Sequence, residues 1–118
     1  MRTLALIVAA CALAGAATAQ DPAALFSQKC GNCHTVTDAE SGPEGPSLKG
    51  VYGRQIASLS DYDYSTGLKA KAAGHWGSAE LDAYLASPKA FAPGGSMFTT
   101  VPDPAMRAAI IGYLKGQK

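Results

Sequence analysis

The sequence predicts an all-α fold of about four short helices joined by long loops, on three observations. Apolar residues recur at helical spacing in its second half, residues of N-cap type stand directly before proline or a helix-forming run, and no alternating apolar–polar stretch of useful length argues for a strand. The first helix opens with Asp21 as N-cap and Pro22 at its first position and runs through Lys29, with Leu25 and Phe26 as its apolar side. A second is signalled by Ser65 and Thr66 ahead of Leu68-Lys69-Ala70-Lys71-Ala72-Ala73, with Gly74 closing it. The third starts near Ser78, repeats Leu81, Tyr84 and Leu85 at helical spacing and stops before Pro88. The fourth is the clearest: Asp103 caps it, Pro104 fits its first turn, and Met106, Ile110, Tyr113 and Leu114 share one face.

Length and charge bound the possibilities. With 118 residues, 47% hydrophobic and 16% charged, and 10 Lys+Arg against 9 Asp+Glu, the chain is one globular domain at most. That balance excludes a disordered chain, a collagen-like chain and a strongly basic nucleic-acid binder. The N-terminus reads as a secretory signal peptide over residues 1–19. Met1-Arg2 is its positive start, Thr3 to Gly15 its apolar run and Ala17-Thr18-Ala19 its cleavage signal. The apolar run falls short of the roughly 20 residues a membrane span needs, so stable membrane insertion is not expected. Val8-Ala9-Ala10-Cys11 also resembles a lipoprotein box, but the apolar stretch continues past it where a polar tether belongs. Export after Ala19 leaves a domain of residues 20–118 with nine basic and nine acidic residues and two cysteines, for which a periplasm is the natural location. So small a domain gains much from a covalent or cofactor staple.

Those cysteines stand in Cys30-Gly31-Asn32-Cys33-His34, where a plain disulfide is the simplest reading and three further chemistries compete with it. A redox disulfide pair wants a βαβ setting and a zinc site wants a second pair of ligands, and neither setting surrounds the motif. C-x-x-C-H is also the attachment signature of c-type haem, in which two thiols a short turn apart meet the two vinyl groups and the next imidazole reaches the iron. His34 as proximal ligand needs an acceptor for its other ring nitrogen. The turn cluster Gly42-Pro43-Glu44-Gly45-Pro46 offers the Pro46 carbonyl. For a distal ligand the C-terminal half holds His75, Met97 and Met106. Met106 lies on the apolar face of the last helix, where core packing accounts for it, and His75 stands in a turn. Met97 follows Pro93-Gly94-Gly95-Ser96, an irregular loop able to approach a flat cofactor closely.

Phe26, Cys30 to His34, Gly45-Pro46-Ser47-Leu48-Lys49-Gly50-Val51-Tyr52-Gly53-Arg54, Trp76, Tyr84-Leu85, Pro88, Pro93-Gly94 and Met97 carry a resemblance in this order. The chain resembles the class I c-type cytochromes, the small soluble bacterial relatives of mitochondrial cytochrome c, from Phe26 to Lys115. The resemblance implies the class I cytochrome c fold, with loops wrapped around one haem c attached through Cys30 and Cys33. It implies His34 and Met97 as axial ligands, Tyr84 near the Met97 sulfur, Arg54, Tyr64 and Trp76 around the propionates, and Phe26 against Tyr113. It further implies a monomeric electron carrier with no catalytic residues. Its partners would be redox proteins or membrane respiratory or photosynthetic complexes docking transiently at the haem edge, and nucleic acid would not be among them.

Departures from the family pattern carry their own expectations. Ala90 and Ser96 replace residues that are basic in mitochondrial relatives, so electrostatic steering should be weak. Gly95 stands where relatives place a threonine, which suggests a looser ligand loop and keeps open a haem enzyme or gas sensor with a labile methionine. A cytochrome subunit of a larger oxidoreductase is a third reading. Pro22 replaces a family glycine, which implies a first helix that starts later than its own cap signals say.

Overall fold

The computed structural model describes Ala10 and residues 20–118; the expected signal-peptide cleavage site and the lipoprotein-like cysteine Cys11 fall outside the described residues. Five helices form among them: α1 (Pro22–Lys29), α2 (Thr66–Lys69), α3 (Ser78–Ala86), α4 (Pro88–Phe91) and α5 (Pro104–Lys115). Among the described residues there is no sheet, only an isolated antiparallel bridge between Gln55 and His75. No helix among them is long and apolar enough to cross a membrane.

Helix α1 begins at Pro22, where its own residues place it and earlier than the family glycine implies. Proline lacks only an N–H that the first turn leaves unpaired anyway. The Asp21 side chain makes no capping bond; its carbonyl instead accepts from Leu25 N at 3.0 Å. Helix α2 is shorter than its sequence suggests. Ser65 caps it by accepting from Leu68 N at 3.3 Å, but past Lys69 the chain turns through bonds such as Gly74 N to Lys71 O at 2.9 Å. The competitor is tertiary: Gln55 Nε2 donates to Ala72 O at 2.7 Å and Ile56 N to Gly74 O at 3.0 Å, drawing 70–74 out of the helix.

Helix α4 is absent from the sequence reading because Pro88 has two roles. It ends α3 and serves as the first residue of α4, which Ser87 caps by accepting from Ala90 N at 3.3 Å. Helix α5 matches its signals, with Asp103 Oδ1 accepting from Ala105 N at 2.9 Å.

The core is the crossing of α5 with α1 and α3. Leu25 and Phe26 meet Ile110, Ile111 and Leu114 in one buried cluster, and the Phe26 and Tyr113 rings lie 5.2 Å apart as expected. Leu81 and Leu85 bring α3 into the same cluster. Arg107 fastens the segment ahead of α5: Nη1 donates to the carbonyls of Val101 at 3.0 Å and Pro102 at 2.8 Å, while Nε reaches Asp82 at 2.7 Å.

Candidate functional site

The end of α1 positions the motif. Cys30 N donates to Phe26 O at 2.8 Å, and Cys30 O accepts from Cys33 N at 3.1 Å and His34 N at 2.9 Å, so both thiols and the imidazole leave one tight turn. Cys30 is buried, Cys33 is exposed, and both thiols are free. Burial, with the neighbouring Cys33 charge second, pushes the Cys30 thiol up to about 11. A reactive redox dithiol needs its nucleophilic thiol shifted the other way. Among the described residues no cluster of three or more His, Cys, Asp or Glu could hold a metal ion.

His34 Nδ1 lies 2.8 Å from Pro46 O. A carbonyl only accepts, so Nδ1 carries the proton and Nε2 keeps its lone pair for a metal. Burial holds the imidazole below its usual value, outweighing the Pro46 bond that raises it, so the ring is neutral at pH 7. Gly45 makes this approach possible. A Cβ there would lie 2.6 Å from His34 Cε1 and 2.8 Å from Nδ1, closer than real Cβ atoms come to anything.

All eight residues singled out in the sequence, Cys30, Cys33, His34, Arg54, Tyr64, Trp76, Tyr84 and Met97, line one cavity of about 290 Å³. The other distal candidates are elsewhere: His75 is exposed in its bridge to Gln55, and Met106 packs half-buried against the core. Trp76 is buried and fixed at both backbone groups, its N–H donating to Arg54 O at 2.9 Å and its O accepting from Gly53 N at 2.7 Å. Its ring lies 5.1 Å from that of Tyr84 and 5.6 Å from that of Phe91. Burial first, then Tyr62, pushes the Tyr84 phenol up to about 12, so it stays a neutral donor. Tyr64 is buried and its hydroxyl accepts from Leu59 N at 3.4 Å.

Arg54 is held by carbonyls of the loop that precedes it. Its Nη2 donates to Ser47 O at 2.9 Å and Nη1 to Lys49 O at 3.2 Å, which leaves a half-buried cation on the cavity wall. Burial draws its pKa down, while Tyr64 and Asp61 oppose that shift. Part of the core doubles as cavity lining: Leu81 and Leu85 of α3 and Ile110 and Leu114 of α5 face the cavity as well. Leu68 of α2 and Leu48, in the loop that follows Pro46, join them.

The loop ahead of Met97 is less slack than its paired glycines suggest. Gly95 N donates to Ala92 O at 3.0 Å, closing a turn with Pro93 second and Gly94 third at φ +85°, the positive angle such a turn requires. The glycines therefore form the turn that leads into Met97.

Paired thiols, a neutral imidazole with a free ring nitrogen, a thioether and an apolar lining fit a haem attached through thioether bonds, and with the helical fold they define a c-type haem protein. The chain belongs to the cytochrome c family, whose model matches residues 19–118. It is 44% identical over 92 residues to cytochrome c of Ginkgo biloba, spanning 77% of this chain and 80% of that one. Over 90 residues it is 41% identical to cytochrome c-type cyt cy of Rhodobacter capsulatus, spanning 75% of this chain but 44% of that protein. The structure of cytochrome cH from Methylobacterium extorquens superposes with a TM-score of 0.71 at 35% identity, covering 80% of this chain and 94% of that one. The fold is therefore the class I cytochrome c fold, the cofactor is haem c, and the protein is a haem-bearing electron carrier.

Proposed function

We propose that the protein is exported by its signal peptide to the periplasm and carries a single haem c, bonded to Cys30 and Cys33 and ligated axially by His34 and Met97. The observation that carries this reading is the meeting of His34 and Met97 in one cavity, with His34 Nδ1 committed to Pro46 O. Haem c supplies a one-electron couple when bound. The protein's part is to hold both axial side chains still and to keep water out. The Pro46 carbonyl orients the His34 ring and makes it a stronger donor, and the Met97 thioether favours the ferrous state. Trp76, Tyr84 and the leucines supply the low-dielectric wall. Tyr84 would donate toward the Met97 sulfur, and Arg54, Tyr64 and Trp76 would meet the propionates, with the Arg54 charge offsetting theirs.

With His34 and Met97 both holding the iron, no position would remain open for a substrate, so the protein would exchange single electrons by brief docking at the cavity mouth, as a monomer. Its partners are redox proteins or membrane respiratory or photosynthetic complexes. The test is expression in a host with haem-attachment machinery, followed by intact mass and visible spectra in both oxidation states with and without carbon monoxide. The reading expects the mass of residues 20–118 plus one haem, a low-spin spectrum and indifference to carbon monoxide. A high-spin, carbon monoxide-binding protein, or one lacking covalent haem, would contradict it.

A further inference from the structure

The turn that leads to Met97 rests on a second element far away in sequence. Gly67, in the first turn of α2, is buried beneath it. A Cβ on Gly67 would lie 2.5 Å from Pro93 O and 2.7 Å from Ala92 O. Both are backbone atoms, so neither can swing aside as a flexible side chain would. Ala92 is fully buried, and its carbonyl already accepts the turn's closing bond from Gly95 N. The contact continues on both sides. Gly94 lies against Thr66, where a Cβ would meet Oγ1 at 3.3 Å, and Lys71 Nζ sits 5.1 Å from the centre of the Phe91 ring, directly ahead of Ala92.

From this we infer that Ser65–Gly67 is the seat of the Met97 loop and that Gly67 is a positioning residue for the distal ligand, an inference that rests on Met97 being that ligand. Beyond Ala92 the loop carries little buried apolar surface: Pro93 and Gly94 are exposed, Met97 packs half-buried against the core and Phe98 is 74% exposed. What fixes the start of the loop is contact of backbone against backbone at Gly67, which only a residue without Cβ permits. Any side chain there must lift the Ala92–Gly95 turn by about half an ångström or more to reach the closest contact real Cβ atoms show. Displacement on that scale is enough to spoil a ligand geometry.

If the seat holds Met97, lifting it raises the fraction of molecules whose sixth position is open, and an added ligand then binds more tightly in proportion. The experiment measures affinity of the ferric holoprotein for imidazole, together with the sulfur–iron charge-transfer band, in the parent, Gly67→Ala and Ser65→Ala. Ser65→Ala introduces no clash; it removes the α2 cap and so softens the seat even if Gly67→Ala fails to fold. Ile111→Ala, a truncation in α5 outside the cavity, serves as comparator for global destabilisation. The expected result is imidazole affinity about tenfold or more above the parent in Gly67→Ala, with a weakened sulfur band. Ser65→Ala should shift in the same direction by a smaller factor, and Ile111→Ala should keep parental affinity despite a lower thermal midpoint.

Parental imidazole affinity in both seat variants, or an equal rise in Ile111→Ala, would overturn the inference. A parent without the sulfur band would overturn the Met97 assignment itself and the inference with it. A parent with the band and seat variants that bind no better would overturn the seat alone.

Discussion

Replacing Gly45 by alanine tests how the proximal imidazole is held. A Cβ at this position would overlap His34 Cε1 at 2.6 Å, Nδ1 at 2.8 Å and the Cys33 carbonyl at 2.9 Å, and the ring is the part that can yield. Moving it away lengthens or breaks the 2.8 Å bond from Nδ1 to Pro46 O. An ordinary hydrogen bond contributes about 0.5–1.5 kcal/mol net. With His34 as the proposed proximal ligand, this one would favour the oxidised state, because an acceptor on Nδ1–H makes the imidazole a better donor to ferric iron. If the whole of that differential is lost, a one-electron couple shifts by roughly 20–65 mV, at 59 mV per tenfold. The sign is upward, since the reduced form is then relatively favoured. Potentiometric titration of parent and Gly45→Ala measures the shift, and Gly42→Ala, whose added Cβ would meet nothing within 4 Å, provides the control. A potential unchanged or lowered in Gly45→Ala, or moved equally in Gly42→Ala, would refute the role given to the Pro46 carbonyl.

Asp61 accepts from Ser41 N at 2.8 Å and Ser41 Oγ at 3.0 Å, which holds its carboxyl below the usual range. A depressed carboxylate stabilises the fold above its unfolded pKa, and that contribution is lost as pH falls through the folded value. Thermal midpoints of Asp61→Asn from about pH 6 down to about pH 2 should therefore fall less steeply than the parent's; parallel curves would count against the clasp. Arg107→Lys keeps the charge but loses the paired carbonyl contacts to Val101 and Pro102, and should cost about 1–3 kcal/mol in denaturant unfolding. Little of that belongs to the ion pair with Asp82, whose side chain is half exposed. With nine basic and nine acidic residues in 20–118, electron exchange with physiological partners should slow only mildly as salt is added; a steep fall would reveal a local charged patch that the net balance hides.

What was legible in the sequence was local. Asp103-Pro104 and the apolar stripe from Met106 to Leu114 specify α5 through near neighbours, and tertiary contacts reinforce them. The acceptor for His34 was legible as well, because a proline carbonyl in a turn cluster is a simple chemical object. The errors have tertiary causes. Helix α2 is shorter than its sequence signals because Gln55 and Ile56 capture the carbonyls of Ala72 and Gly74 across the fold. Helix α4 is hidden in the sequence because Pro88, a stop signal for α3, is equally the start of α4. Gly67 carried no signal at all, since its importance lies in Ala92 and Pro93, residues that only the folded chain brings to it. Gly95 misled in the opposite sense: beside Gly94 it suggests slack, but its N–H closes the turn.

The most direct measurement is the sulfur–iron charge-transfer band of the ferric protein in the parent, Met97→Ala and Met106→Ala. Axial ligation by His34 and Met97 predicts the band in the parent and in Met106→Ala and its loss in Met97→Ala, with carbon monoxide binding to the reduced iron only in that variant. A band that survives Met97→Ala, or a parent that lacks it and binds carbon monoxide, would contradict a closed six-coordinate electron carrier.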